Sequence, residues 1–136
     1  LQGAVGIDQL KKLKFILSKN KKRYDLLLKT LSKKFKIRYK IKDSIPSMDT
    51  FMFEVPNSKM RSKIINYLRS SGVGIKNVPD AIRWHFASYW GHAISKKQIN
   101  SIKKSKNKIK RYIAIPISIK VTKQTYSKVA KKIISF

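Results

Sequence analysis

The sequence predicts an α/β (α+β) sandwich, a small and mainly antiparallel sheet with helices packed on one face. Three observations carry this. FKIRYKIK at 35–42 alternates apolar and basic residues, the period of a half-buried strand. Ile113, Ile115, Ile117 and Ile119 alternate in the same way. Between and around these runs, apolar residues recur at three- and four-residue steps, the period of helices lying on a sheet.

The elements follow in order. Leu1, Val5, Leu10, Leu13, Leu17, Tyr24, Leu28 and Leu31 mark a long helix over 1–31, with lysines on its other side. Its first part is small and apolar (Gly3, Ala4, Val5, Gly6) and should pack against something this chain lacks. In the strand 35–42, Phe35, Ile37, Tyr39 and Ile41 face the core. Its four cations are either a phosphate-binding ridge or, the reading we favour, the charged guard of an edge strand. Asp43–Pro46 is a turn, and Thr50–Val55 a strand with Phe51, Phe53 and Val55 on one face. A helix capped by Asn57 or Ser58 carries Met60, Ile64, Ile65 and Leu68 inward and stops at Gly72. Val73–Val78 reads as a short strand. Ser95 with Gln98 makes a capping box, and Ile94 with Ile99 a hydrophobic staple, for a helix fading near Lys106. Pro116 places the isoleucine strand at an edge or a bulge. Thr122 caps a last helix with Tyr126, Val129, Ala130 and Ile133 inward.

A chain of 136 residues is one domain. No run of about 18 apolar residues could span a membrane, and the start has no signal-peptide pattern. The missing initiator Met and a helix already under way at Leu1 point to a fragment of a longer chain. The net charge of +27 would attract nucleic acid or an anionic surface. The basic residues are 27 Lys against 6 Arg, however, and base reading favours the arginine fork. A solvated lysine coat is the plainer explanation.

Catalytic chemistry is scarce. Cysteine is absent, and two histidines with six scattered carboxylates match no metal-site spacing. No glycine-rich phosphate loop, carboxylate pair or Ser-His-Asp arrangement is present, and no lysine sits in a pocket-like apolar context. The exception is IRWHFASYWGH at 82–92, which holds both tryptophans and both histidines. Ile82, Phe86, Tyr89 and Trp90 would share a helical face, so the rings of Trp84, Phe86, Tyr89 and Trp90 either fill a core or wall a ligand site. Arg83, His85 and His92 bring donors among those rings, as a site for a polar or anionic ligand requires.

LQGAVGIDQLKKL at 1–13 resembles the helix that follows the catalytic lysine in the DegT/DnrJ/StrS aminotransferases, whose pattern there is close to E-L-Q-A-A-x-G-x-x-Q-L. Leu1, Gln2, Ala4, Gly6, Gln9 and Leu10 match, and Gly3 replaces an alanine. The order DTFMFEV, SKMRSKIINYLRSSG, GVGIKN, a His/aromatic segment, YIAIPISI and TKQTYSKVAKKI also resembles that family's C-terminal region. The resemblance implies the C-terminal small domain of a fold-type I enzyme using pyridoxal 5'-phosphate. Residues 1–32 would be the connecting helix from a large domain and 33–136 the small domain. The cofactor and its Schiff-base lysine would lie before Leu1, so the fragment alone would be inactive. Such enzymes pass an amino group, usually from glutamate, to a keto sugar, and are generally cytoplasmic homodimers with no membrane contact.

The segment departs from the family's commoner H-Y-P-x-P-L-H. His85 and His92 stand for its histidines, but the prolines are gone, the spacing is one residue longer, and the loop KNVPDAI is extended. This version is similar to a branch that aminates an eight-carbon keto-deoxy sugar acid rather than a nucleotide-linked sugar, as in lipopolysaccharide or cell-surface polysaccharide biosynthesis. Lys76, Asn77, Arg83, Trp84, His85, Tyr89, Trp90 and His92 are then the substrate-facing residues, with no catalytic or metal-binding residue in the chain. The competing expectation is a nucleic-acid-binding module, with lysines on phosphates and the Trp84–Trp90 rings stacking bases.

Overall fold

A computed structural model of the chain describes residues 2–38, 42–44, 46–76 and 85–136. Among these residues, five α-helices and a three-stranded antiparallel sheet follow in the order α1 (Gln2–Leu31), β1 (Lys36–Ile37), β2 (Thr50–Glu54), α2 (Ser58–Ser70), α3 (Lys96–Ser101), α4 (Lys103–Ile109), β3 (Tyr112–Pro116) and α5 (Lys123–Ile134). The sheet order is β1-β2-β3, with Ile37 opposite Phe53 and Phe51 opposite Ile115.

The alternating strand residues decide which face is covered. Phe51, Phe53, Val55, Ile113, Ile115 and Ile117 are buried in one cluster with Leu27 and Leu31 of α1, Ile64 and Leu68 of α2, and Tyr126, Val129, Ala130 and Ile133 of α5. The α5 stripe is the one its sequence spacing predicts. In α2, Asn57 is the cap, its Oδ1 accepting from the Met60 N–H at 2.9 Å, while Met60 and Ile65 flank the core half-buried. The Ser95–Gln98 capping box is present in full.

Several elements differ from expectation. In α1 the core side runs through Tyr24, Leu27 and Leu31, leaving Leu28 at 37% exposure. Among its described residues, the 35–42 strand pairs at Lys36–Ile37 and through the Arg38 N–H to the Met52 carbonyl; Tyr39, Lys40 and Ile41 lie outside the described residues. Among the described residues of Val73–Val78 there is a single bridge, Lys76 to Ala114; Gly72 and Gly74 before it both take positive φ (76° and 74°) and curl the backbone, and Asn77 and Val78 lie outside the described residues. The helix after Ser95 breaks at Ile102. There the Ser101 hydroxyl donates to the Gln98 carbonyl at 2.7 Å, the acceptor a continuous helix gives to the Ile102 N–H, which turns to Asn100 instead. Ile119 leaves the sheet and is 42% exposed, as Arg23 of α1 donates to the carbonyls of Ile119 and Val121. Pro116 is the last residue of β3, which is the edge strand its proline requires apart from the Lys76 bridge.

Tyr126 fixes that exit. Its buried hydroxyl donates to the Pro116 carbonyl at 2.9 Å and accepts from the Ser118 N–H at 3.0 Å. Burial pushes its pKa up. Tyr126→Phe strands both backbone groups and is expected to cost about 1–3 kcal/mol, read as a lower urea midpoint at unchanged slope.

Candidate functional site

Of the eight expected site residues, Lys76, His85, Tyr89, Trp90 and His92 are among the described residues; Asn77, Arg83 and Trp84 lie outside them, as does Ile82. The five fall into two groups with different supports.

Lys76 belongs to the sheet. Its N–H donates to the Ala114 carbonyl at 2.9 Å, and its Nζ reaches Asp49 Oδ2 at 2.7 Å and Thr50 Oγ1 at 2.8 Å. The Ser47 hydroxyl donates to the other Asp49 oxygen at 2.7 Å. The hydrogen bond from Lys76, then that from Ser47, hold the Asp49 carboxyl down at about 2 against an ordinary 3.8, with the Lys76 charge adding to them and partial burial opposing. Lys76 thus presents a neutralised pair, and an acidic ligand reaching it competes with Asp49. Nothing local in the sequence signals this partnership across 27 positions.

The aromatic group is a run of tight turns, not an α-helix. Phe86 is extended (φ −129°, ψ 114°) and leads into a 3-10 helix over Ala87–Tyr89. The Trp90 N–H bonds to Ala87, and the Trp90 carbonyl accepts from both Ala93 and Ile94, which delivers the chain to the Ser95 cap. The expected shared helical face is therefore absent, and the rings separate. Phe86 is buried outside the main cluster, while Tyr89 and Trp90 are 38% and 36% exposed and His85 and His92 are exposed. Phe86 meets Tyr89 edge-on at 6.2 Å, and the Lys106 ammonium lies 5.1 Å from the Tyr89 ring centre. Among the described rings, then, one is core and two look outward: each of the two readings of the segment holds for part of it.

Two residues that sequence reasoning missed belong here. Ser88 is buried, and its Oγ has no hydrogen-bond partner among the described residues. Lys106 is the one described lysine that is half-buried rather than exposed, and it lies on Tyr89. Every other described lysine is exposed, on α1, α2, α3, α4 and α5 alike, which is the layout of a coat. Among the described residues no group of His, Asp or Glu could hold a metal ion, and no helix is long and apolar enough to cross a membrane. Nor is any described lysine buried in an apolar pocket, so the described residues do not fit the covalent anchoring of pyridoxal phosphate.

The Asp49 pair has a pH signature. Its folded pKa is depressed, so its stabilisation is present above the unfolded value of 3.8 and is lost as pH falls through about 2. Both side chains are about half exposed, and solvent screening limits the pair to at most about 1 kcal/mol. Asp49→Asn is expected to narrow its stability gap to the parent as pH falls from 4 towards 2, followed by thermal melting at each pH.

The family model described as the DegT/DnrJ/EryC1/StrS aminotransferase family matches residues 1–134. No curated protein matches the chain. Among solved structures, the fold is shared with "Putative sugar aminotransferase Spr1654 from Streptococcus pneumoniae". Its PMP-form has a TM-score of 0.63 at 16% identity over 96% of this chain and 34% of that one. Its apo-form has 0.64 at 15% over 96% and 34%, and its PLP-form 0.64 at 16% over 94% and 34%. At such identities the likeness is one of fold, and this chain spans about a third of the length of those structures. The family model takes in both the α1 sequence and the strand-helix order that follows it, and the chain belongs to the DegT/DnrJ/EryC1/StrS aminotransferase family.

Proposed function

We propose that residues 1–32 and 33–136 are the connecting helix and the C-terminal small domain of a pyridoxal-phosphate-dependent sugar aminotransferase. The observation that carries this is the bare half of α1. Val5, Ile7, Leu10, Leu13 and Phe15 are 44–68% exposed, whereas Leu27 and Leu31 at the other end are fully buried. An apolar helix half that nothing covers requires a partner, and a large domain is the partner that family membership and the one-third coverage support. The cofactor-anchoring lysine then belongs to that domain. When bound, pyridoxal phosphate supplies the electron sink for amino transfer.

This chain contributes the substrate-facing segment. Trp84, Tyr89 and Trp90 are assigned to wall the sugar, His85, His92, Asn77 and Arg83 to supply polar contacts, and Lys76 to meet an acidic group on it. The amino acceptor is a keto sugar, nucleotide-linked or an eight-carbon keto-deoxy sugar acid of surface-polysaccharide synthesis, with glutamate as donor. The assembly is a cytoplasmic homodimer. The outward rings among imidazoles support the sugar assignment, since exposed rings beside hydrogen-bonding groups suit a carbohydrate.

In the whole protein, adding pyridoxal phosphate is expected to raise a Schiff-base absorbance band; a whole protein that takes up no cofactor would overturn the reading. Trp90→Ala should leave that band intact and raise KM for the sugar about tenfold, as expected when one ring face is removed from the sugar. Leu10→Ser with Phe15→Ser should change the melting of the 136-residue chain by no more than about 0.5 kcal/mol. In the whole protein the same pair should cost several times that, about 2–5 kcal/mol; equal effects would place this helix face in solvent.

A further inference from the structure

All six carboxylate side chains lie at or before Asp80, so residues 81–136 hold no Asp or Glu. Within that stretch, residues 96–110 carry seven lysines, more than any stretch of that length elsewhere in the chain. On α1 the charge is interleaved with acids, Lys11 with Asp8 and Lys21 with Asp25; α3 and α4 have no acid of their own. Their folding sorts the side chains: Ile99, Ile102, Lys106 and Ile109 turn inward, half-buried, and the other six lysines are exposed. The Tyr89–Trp90 turn abuts this surface. Lys106 lies on Tyr89, and a Cβ placed at Gly91 would touch Ile99 Cδ1 at 3.9 Å.

We propose that the exposed face of α3 and α4, with Tyr89 and Trp90 at its border, binds single-stranded nucleic acid. Lysines hold backbone phosphates as point charges without reading bases. Partly exposed rings beside them offer faces on which unpaired bases stack, which a duplex cannot use. An anionic membrane is the weaker fit, because the isoleucines of α3 and α4 turn inward and leave no apolar wedge to enter it. The lysine face of α3 and α4 is separate from the residues given to the sugar, while Tyr89 and Trp90 border both; the test reads binding alone and stands or falls without any amino transfer.

Binding of the 136-residue chain to a labelled oligothymidine of about 15 nucleotides, within the usual site sizes, is followed by fluorescence anisotropy across a salt series. Two variants with the same charge change are compared. One carries Lys103→Ser, Lys104→Ser, Lys108→Ser and Lys110→Ser; the other carries Lys12→Ser, Lys14→Ser, Lys22→Ser and Lys29→Ser on α1. The first should weaken binding at least about tenfold and flatten the log–log salt slope by about 0.7 for each phosphate that a replaced lysine had neutralised, with a much smaller effect from the second. Trp90→Ala should weaken binding about fivefold or more. All these residues are exposed, and circular dichroism confirms that each variant folds. Equal losses in the two lysine variants, no effect of Trp90→Ala, equal affinity for a duplex, or tighter binding to phosphatidylserine vesicles would each overturn the proposal.

Discussion

The structure depends on the burial of one face of β2. It is the middle strand, and Phe51, Phe53 and Val55 are at most 1% exposed. Phe51 stacks edge-on against Tyr24 of α1 at 5.1 Å, Phe53 leans on Phe35 at 5.2 Å, and the two meet each other at 6.1 Å. The strand thereby sets where α1 enters the domain and which turns of α2 and α5 face inward. Ring burial of this size, with edge-on geometry, is worth more than any polar contact on the surface. Both long-range ion pairs among the described residues also sit at its ends, Asp49 with Lys76 before it and Glu54 with Arg111 at 2.6 Å after it. Two of the six acids therefore brace one strand, while most lysines stand in solvent, where screening makes their mutual repulsion tolerable.

What could be read from sequence is what short windows decide. The α5 stripe Tyr126, Val129, Ala130 and Ile133, the alternation in β2, the inward Ile113, Ile115 and Ile117, and the Asn57, Ser95 and Thr122 caps each follow from residues within one or two turns, and each is present. The failures are where a distant group decides. Leu27 and Leu28 are equivalent by pattern, and only packing against the sheet puts Leu27 inside. Ile119 fits the strand period but follows Arg23 out of it, an interaction across 96 positions. Gly72 is legible as a helix stop, yet after the curl it makes with Gly74 the one bridge among the described residues is that of Lys76.

The aromatic segment is conspicuous because it holds both tryptophans and both histidines of the chain. Its geometry was not legible. A helical spacing of Phe86, Tyr89 and Trp90 suggested one shared face, but 3-10 and turn hydrogen bonds splay them so that Phe86 goes in and the other two go out. The orienting contact, Lys106 over Tyr89, comes from a helix seventeen residues on, in a stretch that reads as featureless lysine. Likewise the cation expected to meet an acidic ligand, Lys76, carries its own counter-ion.

Helix α1 shows how these constraints meet. At 30 residues it is about 45 Å long, and the change from exposed to buried falls near Asn20, a buried amide whose Oδ1 has no partner among the described residues. After that point each inward position is held by the sheet or by α5; before it, the chain keeps large apolar side chains that the domain does not use. A helix in isolation gains little from propensity alone and needs a packed face along its length. The first half of α1 spends its apolar residues on a surface the rest of this fold never reaches, so its sequence is shaped by whatever lies against that surface, and the second half by β2. The substrate-facing role proposed for the 85–92 turn would depend on the same division, because a domain anchored at one end of a helix can present its loops to a partner held at the other.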